Sequence, residues 1–190
     1  MNQRQGSSRH PVVVPALCLR STGHEFHAVT VDMSIEGLRL RSATLPGVDE
    51  RLNCNIRGVG PTEVRVSWVG ACDFVVRLTG QDPTPGEVAR RLIELSRRQA
   101  KAPAAVRLYR RIVPRVTAVQ VTLEDGTDAA ATILNLSASG VALSLNAPLV
   151  LGQRIVVGQR HATVMRQIPQ GFGVAFVEPL DDAFGENTVL

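Results

Sequence analysis

The sequence predicts an all-β protein made of two small antiparallel barrels, residues 8–80 and 105–182, joined by a linker, residues 81–104, that carries a short helix. Three observations predict it. Short runs in which apolar and polar residues alternate recur through both halves, as half-buried strands require. Turns rich in Gly and Pro, such as LPGVDE, EDGT and IPQG, separate these runs. One strand-and-turn pattern also occurs twice in the same strand context, which points to internal duplication.

In the first barrel, Val64, Val66 and Trp68 alternate with Arg65 and Ser67, which places the three apolar residues on one face. The stretch VTVDMSIEGLRL holds Asp32, Ser34 and Gly37; a turn at Pro46–Gly47 and the terminal strand DFVVRL follow. The linker, QDPTPGEVARRLIELSRRQAKAP, opens with prolines and a glycine, continues with helical periodicity and ends at Pro103. Val88, Leu92 and Leu95 share one face, leaving Arg90, Arg91, Arg97 and Arg98 to solvent. This reads as a connector docked on one side and not as a core element. The docking partner can be a barrel or a second chain, so a homodimer is left open. In the second barrel, Val141, Leu143 and Leu145 alternate with Ala142 and Ser144. The stretch ATILNLSASGVAL holds Asn135, Ser137 and Gly140; a turn at Gly152 and the strand GFGVAF follow, with Phe172, Val174 and Phe176 on one face.

Hydrophobic residues make up 44% of the 190 residues and aromatics only 4%, so the cores must be built from Val, Leu, Ile and Ala. The net charge is +4 and nearly all the cations are arginine. A guanidinium offers a flat fork of donors that matches phosphate oxygens and guanine edges, which suits an anionic planar ligand. The sequence contains neither a secretory leader nor a long apolar run, and a cytoplasmic protein without a transmembrane segment is expected. Cys18, Cys54 and Cys72 have no metal-ligand spacing and read as buried thiols in a reducing compartment.

The candidate ligand residues lie in the second half. YRRIVPRVTAVQV places Arg110, Arg111 and Arg115 just before a strand, and Pro114 restricts the backbone between the last two. Both guanidinium groups can reach one ligand, pairing with phosphate or the O6/N7 edge of guanine, or stacking over a purine. Asn135 and Ser137 stand at alternate positions, so an amide and a hydroxyl leave one sheet face together. Gly140 leaves room for a tight turn or a close ligand.

With RIVPR at Arg111–Arg115 and NLSASG at Asn135–Gly140, the sequence resembles the PilZ family, whose members bind the bacterial second messenger cyclic di-GMP. Its signature is two arginines with three residues between them, followed downstream by Asp/Asn-x-Ser-x-x-Gly. The resemblance covers the second half fully and the first half less completely. It implies six-stranded antiparallel barrels. It also implies that Arg111 and Arg115 clamp guanine and phosphate from the loop before the first strand, while Asn135 and Ser137 meet the base from the barrel wall. Arg110 is expected as an auxiliary contact, for instance to a stacked second ligand molecule. The first copy keeps Asp32, Ser34 and Gly37, but Arg9 stands where the first arginine belongs and Val13 where the second does. It therefore reads as a structural or partner-binding copy.

The expected function is a cyclic di-GMP sensor that passes occupancy to a protein partner through loop and interdomain rearrangement. No cofactor and no enzymatic activity are expected. His24 and His27 have a metal-like spacing without a third ligand cluster, and Asp125 and Asp128 belong to a hairpin turn. Two alternatives stand beside this reading: an adaptor that binds no nucleotide, and an RNA- or DNA-binding barrel. Nucleic acid is the less expected partner, because such a barrel needs aromatic stacking platforms that this chain scarcely supplies.

Overall fold

The computed structural model describes residues 9–34, 37–101, 109–181 and 183–190. The expected limits at residues 8, 104, 105 and 182, and the linker's end at Pro103, lie outside these. The chain divides into two compact units, Met1–Arg41 with Leu45–Leu108, and Tyr109–Leu190 with Ser42–Thr44.

The first unit contains β1 (His10–Pro11), β2 (Pro15–Arg20), β3 (Glu25–Ser34), β4 (Gly37–Arg41), β5 (Arg51–Ile56), β6 (Gly60–Val69), β7 (Asp73–Leu78) and α1 (Pro85–Lys101). Six strands close into an antiparallel ring in the order β3-β2-β5-β6-β7-β4, with β3 pairing β4, and β1 adds to the far end of β3. The second unit contains β8 (Ala118–Thr122), β9 (Asp128–Ser137), β10 (Gly140–Leu145), β11 (Arg154–Val157), β12 (Arg160–Ile168) and β13 (Gly171–Phe176). It is a closed barrel in the order β9-β8-β11-β12-β13-β10. The two rings match strand for strand, so the duplication read from one motif extends over the whole barrel.

The bulges are duplicated too. Register shifts skip Val31 between β3 and β4, and Leu134 between β9 and β10. A second pair skips Ser67 between β6 and β7, and Met165 between β12 and β13. A bulged residue resets the inside/outside alternation of its strand. This corrects one expectation: Val64 and Val66 are 1% and 0% exposed, but Trp68, beyond the bulge at Ser67, is 49% exposed. An unbroken period of two would have kept all three together.

The barrel cores are aliphatic, as the scarcity of aromatics requires. Leu38, Leu40, Ile56, Val66 and Phe74 fill the first, with Phe26 and Phe74 tilted against each other at 6.2 Å. Val121, Leu136, Leu143, Val157 and Val164 fill the second. Cys18 and Cys54 face each other across β2 and β5 with sulfurs 2.7 Å apart. The bond to Cys54, then burial, pushes the Cys18 thiol far above its ordinary pKa, so it stays protonated and is a poor nucleophile.

Helix α1 does more than connect. Val88 and Leu92 are fully buried in the first barrel's core, and Leu95 packs partly against it. Arg91 donates to Val59 O at 2.6 Å, while Gln99 accepts from Val13 N at 2.9 Å and donates to Val13 O at 2.7 Å. The apolar face that the periodicity predicted is thus spent inside the same unit. The helix starts at a capping box: Glu87 accepts from Thr84 N and Oγ1, and Glu87 N bonds back to Thr84 Oγ1. Those donors hold the Glu87 carboxyl below its ordinary range.

Leu92→Ala should destabilise the first unit by about 2–5 kcal/mol in urea unfolding, the cost of a core cavity. A helix lying loosely on the surface would instead lose under about 0.5 kcal/mol. Because Glu87's pKa is depressed in the fold, its contribution is complete above the unfolded pKa and disappears as pH falls through the folded one. The urea midpoint should therefore fall less steeply on acidification in Glu87→Gln than in the unaltered chain.

Candidate functional site

The arginine segment pairs with the second barrel at Ile112. Ile112 N donates to Leu136 O at 2.9 Å and Leu136 N donates to Ile112 O at 2.8 Å, an antiparallel bridge outside the regular strands. Leu136 lies between Asn135 and Ser137, and Ile112 directly follows Arg111, so the bridge sets the two parts of the motif side by side. Pro114 is buried on the same segment, which keeps the short stretch up to Arg115 close to the barrel.

Asn135 and Ser137 owe their outward position to the bulge at Leu134. Ile133 and Leu136 are both buried, so the side chains between them break the period of two. Without the bulge, a strand that buried Ile133 would turn Asn135 inward and Leu136 outward. Ser137 Oγ donates to Gly140 O at 3.0 Å across the β9–β10 hairpin, which leaves its oxygen able to accept a further bond.

Gly140 has a different role from the one its place in the motif suggested. A Cβ there would sit 2.1 Å from Val174 O, so the room it leaves is filled by the β13 main chain and not by open space. In the first barrel the same substitution at Gly37 would meet Val76 O at 2.2 Å. In both copies this glycine permits β10 or β4 to close against the last strand.

The three arginines differ in what holds them. Arg111 is exposed and, among the described residues, has no hydrogen-bond or ion-pair partner. Arg115 N donates to Glu186 O at 2.8 Å, and its Nε lies 3.9 Å from Glu186 Oε2 with both side chains largely exposed. Arg110 donates from Nη2 to Phe184 O at 3.1 Å and lies 5.6 Å above the Phe184 ring. Phe184 and Glu186 follow the last strand, and nothing in the motif spacing could have named them.

The first copy shows how an equivalent surface becomes self-contained. The β1–β3 pair His10–Met33 occupies the place of Ile112–Leu136, so Arg9 corresponds to Arg111 and Val13 to Arg115. Arg9 Nη1 lies 2.6 Å from Asp32 Oδ1, Arg39 Nη1 lies 3.9 Å from Asp32 Oδ2, and Arg39 Nε donates to Asp73 Oδ2 at 2.6 Å. Two cations are matched to two carboxylates, and Val13 stands where the second loop arginine would. Elsewhere, no group of three or more His, Cys, Asp or Glu among the described residues is placed to hold a metal ion.

The model of the PilZ domain matches residues 3–95 and 105–188. No curated protein matches the chain. Similar solved structures include the PlzA protein of Borreliella burgdorferi in complex with c-di-GMP, at 14% identity and TM-score 0.31, covering 90% of this chain and 83% of that one. The Bacillus subtilis inhibitor of motility MotI/DgrA is similar at 13% identity and TM-score 0.29, covering 89% of this chain and 90% of that one. Escherichia coli YcgR in complex with c-di-GMP is similar at 14% identity and TM-score 0.29, covering 88% and 76%. The family model matches most of the chain in two stretches, one over each of two barrels with the same strand order, and the chain therefore belongs to the PilZ domain family as a tandem of two copies.

Proposed function

We propose that the second barrel is a receptor for cyclic di-GMP and that the protein is a cytoplasmic, non-enzymatic sensor of that nucleotide. The observation that carries this reading is the Ile112–Leu136 bridge, which sets the arginine segment beside the residue between Asn135 and Ser137, with Arg111 left without a partner among the described residues. Two guanidinium forks supply the donors for a phosphodiester and the O6/N7 edge of guanine, and the amide and hydroxyl on the wall complement the remaining polar edge. Family membership supports the same ligand.

The first barrel, with Asp32 held by Arg9 and Arg39 and with Val13 in place of a second arginine, is the structural or partner-facing copy. Ligand binding draws Arg110–Arg115 over the nucleotide, and that reordering is passed through the adjoining segment to a protein partner. Arg110 serves as the auxiliary contact.

Arg111→Ala and Arg115→Ala should each weaken cyclic di-GMP binding by about 2–5 kcal/mol in calorimetric titration, the cost of leaving a bound anion without its paired cation. Arg111→Lys should fall between, because it keeps the charge and loses the fork. Absence of binding by the unaltered protein, or displacement of the nucleotide by short RNA at comparable concentration, rejects the reading. Proteolytic cleavage within residues 100–116 should slow when nucleotide is added, and identical cleavage patterns reject the ordering of this loop.

A further inference from the structure

The segment after β13 is built onto the arginine loop. Leu180 is buried, and Phe184 and Leu190 pack against the second core, so the segment is anchored near both ends. Between the anchors, Gly185 N donates to Thr188 Oγ1 and Thr188 N donates to Gly185 O, each at 2.9 Å, forming a turn that carries Glu186. That turn supplies the acceptor for Arg115 N and a carboxylate 3.9 Å from Arg115 Nε, while Phe184 supplies an acceptor and a ring face for Arg110. Two of the three loop arginines are thus engaged by one short stretch of chain.

The first copy indicates that this is a recurring way to use the position. Val13, the counterpart of Arg115, also has its main-chain N–H bonded by an element from outside the ring, there Gln99 of α1. In that copy the holder is a helix with Val88 and Leu92 sunk in the core. In the second copy it is a short turn whose carboxylate is largely exposed. The two holders differ in how easily they can be removed.

We propose that residues 183–190 form a displaceable strap that sets the affinity of the ligand site, with the Glu186 carboxylate standing in for a ligand phosphate at Arg115. This rests on the reading that the loop takes a phosphodiester nucleotide. An approaching phosphate meets both a competitor for Arg115 and a like charge beside it, so the strap must leave for the clamp to close. Phe184 acts in the same direction by holding Arg110 away from the nucleotide.

The test compares the full chain with Glu186→Gln, a substitution at an exposed side chain that leaves the core intact. Calorimetric titration with cyclic di-GMP should give an affinity about two- to fivefold tighter in the variant, the range of an exposed ion pair, with the gain shrinking as salt is raised. Equal or weaker binding by the variant, with the unaltered chain binding normally, overturns the strap and leaves the proposed function standing. A second arm uses no nucleotide: phenylglyoxal modification of Arg115 relative to Arg111, read by peptide mass. The ratio should rise toward one in Glu186→Gln, and an unchanged ratio overturns the strap. If neither protein binds cyclic di-GMP, the proposed function falls, and the modification arm alone decides whether Glu186 occupies Arg115.

Discussion

Two main-chain hydrogen bonds, between Ile112 and Leu136, hold together the halves of a motif that the chain keeps well apart. Their geometry fixes which side chains become neighbours: the residue before Ile112 is an arginine, and the residues on either side of Leu136 are an amide and a hydroxyl. Main-chain bonds suit this task because they engage no side chain and leave the flanking ones for recognition. The bulge at Leu134 is the complementary constraint, since it turns Asn135 outward while Ile133 and Leu136 stay in the core.

The two barrels share strand order, bulge positions and the glycine that lets the ring close, yet the charged side chains on their corresponding surfaces are paired differently. In the first, Arg9 and Arg39 are matched by Asp32 and Asp73, so both guanidinium groups are already engaged by carboxylates of the same copy. In the second, Asn135 replaces the carboxylate and Arg111 has no partner among the described residues. A small number of side chains thus separates a closed surface from an open one on the same framework. The framework persists because its requirements, a glycine against a neighbouring carbonyl and a bulge in the second strand, are steric.

Each ring also leans on an element beyond its strands. For the first barrel this is α1, whose Val88 and Leu92 complete the core. For the second it is the segment after β13, whose Phe184 and Leu190 pack more peripherally. Local opening is drawn from the parts of a fold with the fewest buried apolar contacts, which makes the second arrangement the more responsive of the two.

The all-β class, the tandem organisation, the face of α1 that docks and the residues of the motif were legible from the chain, because alternation, turn residues and a repeated pattern are local properties. The burial of that helix within the first core, the outward turn of Trp68 and the true neighbour of Gly140 were not. Each depends on a register shift or on a strand distant in sequence, and a period of two carries no mark of where one residue will be skipped. The contacts of Phe184 and Glu186 with the arginine loop escaped for the same reason: an aromatic ring and a carboxylate in a terminal segment acquire a role only when folding brings Arg110 and Arg115 beneath them.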